Sequence, residues 1–313
     1  MTTRQKTAGR ALRRTGIWRY IRQDWELYLL LLLPMAFVLL FKYGSYTGLV
    51  VAFKDYKILK GFAASDWVGF DNFVKVFKTR DFSRAFRNTL LLNGLDLIFG
   101  FPAPILLALA LNEIRNRYFK RITQTLLYLP HFLSWVIIGA IAYQIFGLSG
   151  IVNTLIENSG GKAIPFLQEN THWLVSYVVI GVWQTMGWGT IVYLAAITSI
   201  SPELYEAAIV DGANRWQQMW SVTLPSIRST IVTLLIMNLG RIMGGSFERV
   251  HSLMNVATTE YTYTIPVLVY RWGLESGKYS QATALGLFQS VIGLALVLGS
   301  DFVAKRLGED GLL

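Results

Sequence analysis

Apolar residues in this chain come in long blocks, without the short alternating periods of a soluble fold. The blocks cover roughly 26–53, 86–112, 122–148, 172–199, 228–250 and 282–304, and each carries few charges. A helix needs about 20 apolar residues to cross the hydrocarbon core of a bilayer. The pattern therefore predicts an all-α membrane protein with six transmembrane helices. The intervals between blocks differ in character. The interval 54–87 contains DWVGFDNFVKVFKTRDF, in which Phe73, Val74, Val76 and Phe77 surround Lys75, a spacing that predicts a short amphipathic helix at the outer surface. The interval ENSGGKAIPFLQEN reads as a Gly/Pro-rich loop. The interval 200–227 is polar, long and rich in small residues.

Composition agrees with the blocks. The chain has 313 residues, 53% hydrophobic and only 15% charged, against about 25% charged in an ordinary soluble domain. The net charge of +10 fits basic loops held against an anionic leaflet, and no nucleic-acid partner is expected. There is no cysteine, and the three histidines (His131, His172, His251) have no ligand spacing. No metal site is expected. Neither a phosphate-binding loop nor a nucleophile elbow is present in the sequence, so the chain is expected to bind no cofactor and to be no enzyme.

Lysine and arginine set the orientation. With both termini on the cytoplasmic side, fifteen basic residues face the cytoplasm and eleven the outside. Eight of the eleven lie in the loop 54–87, which runs against the rule. The expected organisation is a basic juxtamembrane segment 1–25, one transmembrane domain 26–304 and a cytoplasmic tail 305–313. The first block is too long, and lacks the small-residue cleavage site, of a signal peptide. No internal repeat of the kind found in secondary transporters is visible.

On this topology the stretch 200–227 is a cytoplasmic hairpin. Pro202 suits the first turn of a helix and Ser201 its cap. Glu203 and Glu206 lie near the positive end of the helix dipole. Ala207, Ala208, Gly212 and Ala213 would let another surface approach the backbone, and Gly212 permits a turn. Trp216 and Trp220 share one face of a second helical stretch that Pro225 stops. Such a hairpin either covers the bundle or docks a cytoplasmic partner.

The spacing Glu206-Ala207-Ala208, three residues, Gly212, nine residues, Val222, one residue, Leu224-Pro225 resembles the EAA loop of binding-protein-dependent ABC importer permeases. Val222 stands where the family pattern has Ile. WVGFDNFVKVF, YLPHFLSW and the C-terminal AKRLGEDGLL extend the resemblance to the oligosaccharide branch, which includes permeases for uronides. The resemblance implies the type I importer permease fold in a bacterial inner membrane. It implies a second, homologous permease chain, two cytoplasmic ATPase subunits that hold ATP and Mg, and an extracytoplasmic solute-binding protein. It also implies that Glu206 contacts the ATPase and that Gly212 forms the turn of a coupling helix.

Ionisable groups inside a membrane need a reason. In RSTIVTLLIMNLGRIMGGSFERV, Asn238, Arg241, Gly245 and Glu248 are spaced three, four and three, which places them on one face of a continuous helix. Two readings fit: a wet sugar path, or an Arg241–Asp96 ion pair that holds two spans together. An arginine in the path favours an acidic sugar, such as an alginate- or pectin-type uronide. Trp183 could stack on a sugar ring and Gln184 could bond hydroxyls. The family resemblance supports Trp183, Asn238 and Ser134 as path residues. Competing functions are a stand-alone channel or secondary carrier, and a membrane glycosyl or lipid transferase. The latter would need a carboxylate arrangement that the sequence does not display.

Overall fold

The computed structural model of the chain describes residues 24–308 and 311. The expectations for the basic segment before Asp24 and for most of the tail after Gly308 lie outside these residues. Among the described residues five helices are long and apolar enough to cross a membrane, or six if one bent pair is a single span. The chain divides into two compact units at Val50.

The first unit contains nearly all of α1, Trp25–Phe53. Pro34 lies inside this helix, and a wide π turn follows it at Val38–Tyr43. Proline removes a backbone donor and crowds the preceding turn, and a local change of helical pitch accommodates it.

The second unit opens with a two-stranded ribbon, β1 Lys54–Asp55 paired antiparallel with β2 Asp66–Trp67, a small addition to the all-α expectation. Then follow α2 Asp71–Phe77, α3 Arg80–Glu113, α4 Arg117–Tyr128, α5 Trp135–Phe146, α6 Ile151–Asn158 and α7 Asn170–Thr198. The hairpin helices are α8 Pro202–Val210 and α9 Arg215–Ser226. The longer helices that follow are α10 Arg228–Gly240, α11 Phe247–Leu253, α12 Ile265–Tyr270 and α13 Tyr279–Arg306. The short amphipathic helix expected in the loop 54–87 is α2. It does not lie alone on a surface. Val76 is buried, and the Phe77 ring sits 5.1 Å from Phe288 of α13.

Two expected spans are not continuous. The block 122–148 splits because Pro130 ends α4 in a 3-10 turn, Leu129–Phe132, and Ser134 caps a new helix by accepting from the Ile137 N–H at 3.4 Å. The span in this region instead runs through Trp135–Asn158. The block 228–250 breaks after Gly240. The N–H groups of Gly244 and Gly245 both bond the Arg241 carbonyl, and Ser246 is left-handed at φ 67°. At 13 residues, α10 is about 20 Å long, too short to span the membrane by itself. It meets α9 at 60°.

Three buried clusters hold the second unit together. One joins Leu92, Ile138, Trp173, Tyr177 and Leu253. A second joins Val76, Met243, Ile265 and Leu285. The third joins Leu111 of α3, Tyr193 and Ile197 of α7, and Ile227 at the α9–α10 joint. Glycines allow the closest helix contacts, as is usual in membrane bundles.

Glu169 caps α7. Its carboxylate accepts the N–H groups of His172 and Thr171 and the His172 ring nitrogen. These bonds, the His172 N–H first, hold its pKa down to about 2 from 4.5. A depressed acid stabilises the fold above its unfolded pKa and loses that contribution as pH falls through the folded value. The thermal-midpoint deficit of Glu169→Ala should therefore be full above about pH 4.5 and fade towards pH 2. A deficit independent of pH across that window would contradict the cap.

Candidate functional site

The hairpin is held in shape by its own polar atoms. Helix α8 starts at Pro202; Ser201 occupies the cap position but makes no side-chain bond. The helix ends in a Schellman motif: Gly212 at φ 78° donates to Ile209 at 3.0 Å, and Ala213 donates to Ala208 at 2.9 Å. A capping box starts α9, with Gln217 N–H to Asn214 Oδ1 at 3.0 Å and Asn214 N–H to Gln217 Oε1 at 2.7 Å. Tyr205 and Thr223 hydroxyls meet at 2.9 Å across the two arms, and Arg215 pairs with Glu113 of α3 at 2.8 Å. The helical stretch does not stop at Pro225: a π turn at Met219–Thr223 runs on through it, as far as Ser226.

The outer side of this hairpin is open. Glu206, Ala207 and Gly212 are exposed, while Ala208, Ala213, Val222 and Leu224 are half-buried. Leu204, Ile209, Val210, Trp216 and Trp220 are exposed apolar side chains on the same short segment.

At the far end of α10 from the hairpin is a cavity of about 530 Å³. Its wall includes Asn93, Asp96, His131, Trp135, Thr185, Trp188, Asn238, Arg241, Gly245 and Arg249. Of the residues expected from sequence, the structure thus brings Asp96, Asn238, Arg241 and Gly245 to one space. Trp183, Gln184, Glu248 and Ser134 lie outside the lining. The helical phase of α7 explains the first two. Gly181, Val182, Thr185, Trp188, Gly189, Val192 and Tyr193 form the stripe that faces the cavity, and positions 183 and 184 fall off it. Of the α7 tryptophans it is Trp188 that lines the cavity, stacked on His131 with centroids 4.6 Å apart and planes 5° apart.

The expected Arg241–Asp96 ion pair does not form. Asp96 is held by Arg249 through two bonds, Nη2 to Oδ1 at 2.8 Å and Nη1 to Oδ2 at 3.2 Å. The single helix face expected for Asn238, Arg241, Gly245 and Glu248 is also lost, because the helix ends at Gly240 and restarts at Phe247. Asn238 donates back to the Leu234 carbonyl at 2.8 Å. The Arg241 side chain is exposed to the cavity and has no ion-pair partner among the described residues. Sequence reading missed Arg249 because it stands at the edge of an apolar block, where a charge needs no explanation.

Residues 100–308 match the family model for the binding-protein-dependent transport system inner membrane component. The protein LplB of Bacillus subtilis (strain 168) is 44% identical, over 93% of this chain and 92% of its own length. The polygalacturonan/rhamnogalacturonan transport system permease protein YteP of the same organism is 43% identical over 93% and 91%. Among solved structures, a chain of a bacterial alginate ABC transporter in complex with alginate pentasaccharide-bound periplasmic protein superposes with a TM-score of 0.85. It is 40% identical, over 95% of this chain and 99% of that chain. A second structure, of an ABC transporter importing the acidic polysaccharide alginate, gives 0.84 at 41% identity, over 92% and 98%.

Proposed function

Because the chain belongs to the family of binding-protein-dependent transport system inner membrane components, we propose that it is the permease of an ATP-driven importer of acidic oligosaccharides. It is a multi-pass inner-membrane protein. The ATPase subunits that engage the hairpin, a second permease chain and an extracytoplasmic solute-binding protein complete the proposed assembly. ATP and Mg are held by the ATPase subunits, and this chain serves as a non-enzymatic membrane component.

The observation that carries the substrate class is the charge of the cavity. Asp96 neutralises Arg249, and Arg241 leaves one positive charge open to the cavity. Guanidinium groups bind carboxylates in charge-assisted pairs, so this space favours a uronate over a neutral sugar. The substrates named for the relatives, polygalacturonan and alginate, are polymers of uronates. Trp188, fixed against His131, offers a flat face for a pyranose ring.

The hairpin supports the drive. Its caps make it stiff, and the 60° joint at Ile227 ties it to α7 and α3 through one buried cluster. A push on α8 would tilt α10, which carries Asn238 to the cavity wall and leads into Arg241. Work is done only if the partner binds the two tilts with different affinity.

Arg241→Gln is the test of substrate class. Loss of a charged hydrogen bond is worth about 1.5–3 kcal/mol, so kcat/KM for uronate oligomer uptake should fall about tenfold or more. Any uptake of a neutral oligosaccharide of equal length should change little. An equal loss for both substrates, or no loss, would remove the charge argument.

A further inference from the structure

Resting on the acidic-sugar reading above, we infer that Arg249 is a second carboxylate site in the cavity, occupied in this conformation by Asp96 as a resident stand-in for a substrate carboxylate. The observations concern how Arg249 is held. It is 5% exposed, so its charge is nearly out of solvent. The guanidinium carbon lies 3.5 Å from the centroid of the Tyr177 ring, a cation–π contact. Gly181 passes so close that a Cβ there would come within 2.3 Å of the same carbon. Ring and glycine backbone fix the plane of the guanidinium before any anion arrives.

What fills the fork is less confined. Asp96 retains 29% exposure of its side chain and lines the cavity. It stands at the start of a π turn, Asp96–Gly100, where the Phe101 N–H reaches back to the Asp96 carbonyl. π turns inside α-helices mark functional positions and local freedom of pitch. The Arg249 Nε–H is buried and has no hydrogen-bond partner among the described residues, so Asp96 leaves this buried cation with hydrogen-bonding capacity to spare. A two-pronged arginine site takes any carboxylate in the same geometry. A uronate carboxylate entering the cavity competes for the fork that Asp96 holds. No covalent bond is made or broken in this exchange; the two hydrogen bonds to Asp96 are traded for two to the entering carboxylate.

The test is chemical rescue in the full-length chain, purified within its assembled transporter. In Asp96→Ala the fork is empty and the buried cation unpaired, which lowers the thermal midpoint. Formate, acetate and galacturonate should each raise that midpoint in a saturable way, and galactose should not. The gain should vanish in Asp96→Ala/Arg249→Gln. Absence of any carboxylate-specific gain, or an equal gain in the double variant, overturns the inference. Asp96→Ser, whose shorter side chain also leaves the fork open, serves if the alanine variant does not assemble.

A second readout does not depend on emptying the fork. Arg249→Lys keeps the charge but loses the planar fork. The uronate concentration that half-stimulates ATP hydrolysis should rise about tenfold, and an unchanged concentration overturns the proposal. If the wild-type transporter imports no uronate, the acidic-sugar reading fails. The acetate rescue of Asp96→Ala still reports on the Arg249 site by itself.

Discussion

Exchange of Gly212 for valine is expected to lower uptake at least tenfold while the chain still inserts and accumulates normally. Gly212 sits at φ 78° in the Schellman turn, and a Cβ built there would meet nothing within 4 Å. The penalty is therefore conformational and not steric crowding. The left-handed region costs an L-residue roughly 1–2 kcal/mol, and a β-branched residue is a true outlier there. Valine relieves the strain by changing the turn, which re-aims α8 relative to α9. The membrane core is untouched, because the hairpin tip is exposed. Asparagine tolerates the left-handed region, so Gly212→Asn should retain most of the uptake. Uptake in proteoliposomes, with ATP hydrolysis measured in parallel, separates the cases: the valine variant should lose the link between the two. Glu206→Lys should do the same by another route, since Glu206 is exposed and its reversal alters only what a partner meets. Wild-type uptake by Gly212→Val would refute the lever.

The sequence disclosed those parts of this molecule that depend on local averages. The α7 span, expected at 172–199, is Asn170–Thr198, and the last, expected at 282–304, is Tyr279–Arg306. Both are long apolar runs with nothing inside to interrupt them. Where a break lies within an apolar run, hydropathy smooths over it. Leu-Pro-His-Phe and the seven residues Gly240–Ser246 are too short for a windowed average to register, yet the helix is interrupted at each. The hairpin was legible because its signals are local: a proline at the first turn and a glycine at the stop. The cavity was only half legible. The arginines at 241 and 249 both stand in one apolar block, and which of them meets Asp96 depends on how α3, α7 and α11 pack. Gly181, which makes room for the Arg249 guanidinium, carries no mark in the sequence that distinguishes it from Gly187 or Gly189.

Gly187→Ala should be among the most damaging single-methyl changes in the second unit. A Cβ at Gly187 would lie 1.9 Å from the Leu127 carbonyl oxygen and 2.5 Å from its carbon. Both are backbone atoms of α4, so no side chain can rotate out of the way. The two helices must separate, and the turn Leu129–Phe132 that places His131 against Trp188 must move with them. Overpacking of this kind costs about 1–3 kcal/mol, occasionally more, and in a unit of this size about 1 kcal/mol shifts the thermal midpoint by roughly 2–4 °C. A fall of about 5 °C or more in the purified protein is expected, with uptake reduced because the stacked pair forms one side of the cavity. Gly286 of α13 is the control: a Cβ there meets nothing within 4 Å, and alanine is the better helix former by about 1 kcal/mol. Gly286→Ala should leave the midpoint unchanged or raise it. If Gly187→Ala melts with the wild type, the close approach of α4 to α7 does not exist in the membrane, and the wall of the cavity must be drawn differently.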